Sequence, residues 1–127
     1  MKLFALFFSS MLFLGCTSNS DSLDCTQYEP ARVVAVAEVQ NADSVGFLFD
    51  VDFQVNNGCG QFFIFEENTV GNETTISVIA KYEGCVCTDD LPLRETVYSF
   101  LPIAAGTYVL KFKMEGENYI TKTVTKL

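Results

Sequence analysis

Histidine and tryptophan are both missing from the chain. Without histidine there is no residue of the type that most often serves as general base, metal ligand or near-neutral pH switch. Without tryptophan there is no broad aromatic platform for a sugar ring. Basic side chains are scarce: 8 Lys and Arg stand against 16 Asp and Glu in 127 residues, a formal charge of −8. Such a surface repels phosphate backbones, so nucleic acid is not an expected partner. Helical periodicity is lacking as well, since beyond residue 31 no window of eleven residues sustains an apolar repeat of 3.6. The length allows one small domain. These deficits lean away from catalysis, and neither enzyme activity nor a cofactor is expected.

What is present begins with an apolar run. Lys2 supplies a positive charge, residues 3–14 are apolar except for Ser9 and Ser10, and the chain turns polar after Gly15. This is the pattern of a secretory signal peptide. Twelve helical residues reach about 18 Å, short of the roughly 30 Å hydrocarbon core of a bilayer, so a spanning helix fits less well. Apolar residues all round the run argue against a half-buried core helix. The expected organisation is a signal peptide at 1–15, a flexible Ser-rich tether and lead-in at 16–30, and a folded domain at 31–127.

Cys16, directly behind Gly15 at the end of the run, resembles the lipobox cysteine of bacterial lipoproteins, with Phe13 and Leu14 in the relaxed style of Bacteroidota-like members. The resemblance implies cleavage before Cys16 and a lipid anchor on it, with the outer membrane as partner and location. Thr17 resembles outer-membrane sorting signals, and Asp21 and Asp24 resemble, more weakly, surface-export tethers; a periplasmic and an external orientation both stay open. Ordinary cleavage would leave Cys16 an incidental thiol. Several acyl chains hold a protein on a membrane more durably than one.

From residue 31 onward the chain reads as short strands. Phe47, Phe49, Val51, Phe53 and Val55 alternate with Leu48, Asp50, Asp52 and Gln54; Ile76, Val78, Ala80 and Tyr82 repeat the pattern, as do Tyr108, Leu110, Phe112 and Met114. Alternation of this kind marks half-buried strands. Adding 32–39, 61–66, 95–101 and 118–126 gives seven, separated by Asn, Asp, Gly and Pro clusters with turn chemistry. Gly106-x-Tyr108-x-Leu110-x-Phe112 resembles the penultimate strand of bacterial immunoglobulin-like and fibronectin-like modules. The expected fold is all-β, an immunoglobulin-like antiparallel β-sandwich of about seven strands stapled by disulfides; a small up-and-down barrel competes with it.

With Cys16 set aside, Cys25, Cys59, Cys85 and Cys87 form an even set, which in an exported chain suggests two disulfides. A Cys85–Cys87 bond would be strained across one intervening residue, so Cys25 and Cys59 each take one of that pair, in an order that spacing leaves open. Alternating strand directions bring all four to one pole. Zinc is disfavoured because structural sites usually space paired cysteines by two to four residues, and copper because the mature chain offers no His and only Met114.

The acidic residues Glu83, Asp89, Asp90, Glu115 and Glu117 fit solvated turns and match no calcium loop. Asp50 and Asp52 share one strand face without a cleft between them. Asn72-Glu73-Thr74 has the form of a glycosylation sequon and reads here as a turn. In the mature chain the basic groups gather at the C-terminal end, four after residue 106 against three before it, where Lys–Glu pairs across strands would balance them.

The tether enters at the cysteine pole, so the loops 41–44, 68–74 and 102–106 at the opposite pole are the expected partner surface, with Val70, Asn72, Ile103 and Ala104 as candidates. Ile103 could instead tuck back into the sandwich. Taken together, the residues point to a cell-envelope lipoprotein acting as a non-catalytic recognition or structural accessory module, its partner a protein or glycan of the envelope. The alternative is an exported inhibitor of hydrolases that uses a distal loop.

Overall fold

The alternation around Phe49 is realised as a central strand. In the computed structural model, which describes residues 24–40 and 46–127, seven strands follow in order: β1 (Thr26–Val39), β2 (Phe47–Gln54), β3 (Gly60–Val70), β4 (Glu73–Glu83), β5 (Leu93–Phe100), β6 (Gly106–Lys113) and β7 (Tyr119–Lys126). The export run, Cys16, most of the tether and the 41–44 loop lie outside the described residues.

Strand β2 pairs antiparallel with β1 on one side and β5 on the other. Strand β4 pairs with β3 along its whole length, so β1 and β6 must share its other edge. The N-terminal part of β1 takes Val78 to Glu83, and β6 takes Glu73 to Ile76. Beyond Ala31, β1 leaves this layer and joins β2, with a register shift between Val33 and Ala35 where it crosses. A bulge is the usual device for such a bend. Arg32 marks the crossing: its guanidinium donates to the Gln54 amide oxygen and, at 2.9 Å, to Glu115.

The result is an all-β sandwich of the immunoglobulin-like kind. One layer holds β3, β4, β6 and β7 with the start of β1; the other holds β5, β2 and the rest of β1. Between them lie Val33, Phe49, Val51, Phe53, Ile76, Val78, Leu110 and Phe112, all essentially inaccessible to solvent. Each comes from the apolar member of an alternating pair, as the pleat requires. Aromatic rings join the layers, with Phe49 to Phe112 at 5.7 Å and Tyr98 to Phe112 at 5.4 Å between centroids.

Three details depart from the expected picture. First, β1 starts at Thr26, inside the stretch expected to be lead-in, because Thr26 to Ala31 pair with β4. Second, β3 and β4 run on to Val70 and Glu73, so the expected 68–74 loop is a tight hairpin whose turn is Gly71-Asn72, with Gly71 at φ 62°. Glycine adopts that conformation without steric cost. Third, one pair is parallel: β4 and β6 run the same way because β5, lying in the other layer, supplies the return.

The edges carry devices against further pairing. On β7, Lys122 and Lys126 alternate with Ile120 and Val124 on the side that faces the core, and inward lysines discourage edge-to-edge association. Strand β3 has a bulge between Phe62 and Ile64, and Arg94 of β5 takes the Gly60 carbonyl at 2.9 Å.

Farther along the same side, the Tyr98 hydroxyl donates to the Glu67 carboxylate, joining β5 to β3. Burial, and after it this bond, push the Tyr98 phenol well above its ordinary range. An unfolded tyrosine ionises near pH 10, so above that pH the native state keeps a proton that the unfolded state has lost. The stability from this group is complete below about pH 10 and declines as pH rises through the folded value. Urea midpoints should therefore fall above about pH 10, and less steeply in Tyr98→Phe, which should also cost about 1–2 kcal/mol at neutral pH. An equal alkaline fall in both proteins would contradict this.

Candidate functional site

Strand polarity sorts the turns into two poles. Residues 55–59, 84–92 and 114–118 gather with Cys25 at one; residues 71–72 and 101–105 lie at the other.

At the first pole, Cys25 bonds to Cys85 and Cys59 to Cys87, with Cα atoms 5.0 and 5.5 Å apart. These pairs resolve the order that spacing left open. The arrangement follows from chain direction: Cys25 precedes β1, Cys59 closes the β2–β3 turn and the other two follow β4. Gly84, at φ 133°, turns the chain beside them, and its N–H donates to the Cys25 carbonyl at 3.3 Å. The segment carrying Cys85 and Cys87 is further tied to the β2–β3 turn by Gly58 N–H to the Thr88 carbonyl (3.0 Å), and Arg94 donates to the Gly58 carbonyl (3.2 Å).

A cavity of about 640 Å³ opens beside the disulfides, lined by Asp24, Gln27, Asn56, Asn57, Tyr82 and Asp89 among others. Much of its polar chemistry is engaged in holding turns. The Asp24 carboxylate accepts from Thr26 N–H (3.2 Å), the Asn57 side chain from Cys59 N–H (2.9 Å), and the Tyr82 hydroxyl from Asn56 N–H (2.9 Å). A second cavity, about 560 Å³, lies where β1 changes layers and is lined by Arg32, Ser77, Lys113 and Glu115. Asn56 borders both and donates to Glu29 at 2.9 Å. Among the described residues, no group of three or more His, Cys, Asp and Glu is placed to hold a metal ion.

The distal pole is different in kind. Ile103 is 97% exposed, so it does not tuck back into the sandwich. Val70 is 74% exposed beside the hairpin turn, where the Asn72 carbonyl accepts Val109 N–H at 2.8 Å. Ala104 is exposed too, but its backbone is held, because the Tyr108 hydroxyl donates to its carbonyl at 2.6 Å. Lys126 Nζ donates to the Pro102 carbonyl at 2.7 Å and to the Ile103 carbonyl at 3.1 Å. Three successive carbonyls of an apolar loop are thus fixed by side chains from β6 and β7.

The loop residues are legible in the sequence; their braces are not. Tyr108 stood in a recognised pattern, two residues after a turn glycine, and a tyrosine bonding back to the backbone just upstream of its strand is a known corner of sandwich folds. No comparable signal marks Lys126. The polar cavities at the cysteine pole leave no signal in the sequence, since their lining comes from β1, β4, the end of β6 and three turns, which are distant in sequence.

The outward lysines of β6 behave as solvated charges do. Lys111 reaches Glu73 across the parallel pair at 3.4 Å and lies 4.5 Å from the Tyr119 ring centre. An exposed pair of this kind contributes at most about 1 kcal/mol.

A family model described as the ORF11 beta-sandwich domain matches residues 49–125, from within β2 to near the end of β7. No curated protein and no solved structure matches the chain. The matched stretch contains most of the core, three of the four disulfide cysteines and the braced distal loop, and on that extent the chain belongs to the ORF11 beta-sandwich domain family.

Proposed function

We propose that the chain is an exported lipoprotein, anchored through Cys16 in a bacterial outer membrane, that presents its sandwich as a non-catalytic recognition or structural accessory module to a protein or glycan of the cell envelope. The observation that carries this reading is the pair of disulfides, Cys25–Cys85 and Cys59–Cys87. Bonds of this kind persist in oxidising compartments outside the cytosol, which agrees with an export signal at residues 1–15. The staples also lie at the pole where the tether joins β1, which suits a domain held at one end and read at the other.

In the native host, Cys16→Ser should move the protein from the membrane fraction to the soluble envelope fraction. Sedimentation of the variant with membranes would refute the anchor.

A second reading, an exported inhibitor of hydrolases, is favoured by the braced loop. A rigid exposed loop loses little conformational entropy on binding, which is what a cleft-filling inhibitor requires.

A further inference from the structure

We infer that the 102–105 loop is a protease-binding loop, with Ile103 the side chain that enters the primary pocket of an elastase-type serine protease. The inference deepens the inhibitor reading and rests on it.

Ile103 is almost fully exposed, while the proline before it is buried. Pro102 fixes its own φ and anchors the entry to the loop, so the apolar side chain is presented from a held base. The carbonyls on either side of Ile103 are the ones most firmly bound, Pro102 to Lys126 at 2.7 Å and Ala104 to Tyr108 at 2.6 Å. A protease that engaged the Ile103–Ala104 peptide bond would find both flanks tied to the scaffold, so the two halves could not separate as a substrate's do. The Ile103 carbonyl makes the longer and more exposed bond, 3.1 Å to the same ammonium. It can exchange that bond for the backbone donors of an oxyanion hole while Lys126 keeps Pro102.

The side chains choose among serine proteases. A primary pocket with an acidic floor selects a cation, and a deep slot selects an aromatic ring; a small apolar pocket suits a branched aliphatic residue. Ala104 and Ala105, both exposed, add little bulk on the leaving side. The loop also stands at the pole remote from the disulfides, so an enzyme could approach it without meeting the tether.

The test uses the full mature chain with both disulfides intact, titrated against elastase-type, chymotrypsin-type and trypsin-type serine proteases with small chromogenic substrates. The elastase-type enzyme should be inhibited below about 1 μM and the other two at least roughly 100-fold more weakly. Ile103→Asp should lose roughly 100-fold in affinity, as a central anchor does, whereas Val86→Asp, an exposed apolar site at the opposite pole, should change nothing. Ile103→Lys should transfer inhibition to the trypsin-type enzyme. Lys126→Met combined with Tyr108→Phe should turn the loop into a substrate cut between Ile103 and Ala104, visible by mass.

Absence of elastase-type inhibition at about 10 μM would overturn the assignment, as would an Ile103→Asp variant that inhibits as well as the parent. Inhibition of another hydrolase class, insensitive to Ile103, would overturn the loop assignment and leave the inhibitor reading standing. No inhibition of any hydrolase tested would remove both, and leave the membrane-anchored module to be judged by Cys16→Ser.

Discussion

Removing both disulfides is expected to unfold the domain at physiological temperature. Cys25–Cys85 spans 60 residues and Cys59–Cys87 spans 28. By restriction of the unfolded chain, loops of these lengths contribute about 4 and about 3.5 kcal/mol respectively. The two loops overlap in sequence, so the combined loss should be less than the sum. Even so it is comparable to the whole stability of a domain in the lower half of the usual range of roughly 5–15 kcal/mol, where a small sandwich belongs. The paired variants Cys25→Ala/Cys85→Ala and Cys59→Ala/Cys87→Ala should each lower the urea midpoint, the first by more. Equal midpoints for oxidised and reduced protein would show that the staples do not set stability.

The second large effect comes from the interior. Phe49 is wholly buried in β2, with the Tyr98 and Phe112 rings at 6.5 and 5.7 Å between centroids. Phe49→Ala removes a ring that spans both layers and leaves a cavity that neighbours held in two ladders cannot close, a loss of about 3–5 kcal/mol. Val97→Ala on the exposed face of β5 should stay within about 0.5 kcal/mol. Chemical denaturation of the three proteins checks the contrast, and a Phe49→Ala cost below about 1 kcal/mol would place the core elsewhere.

The residues that announced the fold are those for which one side of a strand is dry. Phe49, Val51, Phe53, Ile76, Val78, Leu110 and Phe112 recur at every second position among mostly polar neighbours, and all seven are buried. Where that condition fails, the pattern says less. At the start of β1, Gln27 and Glu29 occupy positions that would face the core in a longer sandwich but border the polar cavity region instead, so Thr26 to Pro30 does not alternate and reads as tether. In β3 the unbroken apolar run Phe62, Phe63, Ile64 and Phe65 straddles the bulge, with Phe63 and Ile64 exposed, so the strand is legible over 61–66 but its faces and its continuation to Val70 are not. The parallel β4–β6 pair left no local trace either, because it depends on which layer β5 joins.

The site was legible to the same degree and for the same reason. Cysteine spacing excluded one of three pairings, and only the three-dimensional meeting of turns decides between the others. Ile103 was visible as an apolar residue in a turn cluster. Its exposure depends on Pro102 being buried and on the two braces, and neither the burial of Pro102 nor the reach of Lys126, 24 residues further on, can be read from the residues around Ile103.

We propose one chain that carries a lipid at Cys16 and two disulfides in a sandwich displayed at the envelope. Intact mass of the protein extracted from its native membrane tests it most directly. The polypeptide should begin at Cys16 and bear a diacylglyceryl group, with no thiol open to alkylation before reduction and four after it. A chain that begins at Met1, or a mature chain without lipid whose cysteines alkylate before reduction, would contradict it.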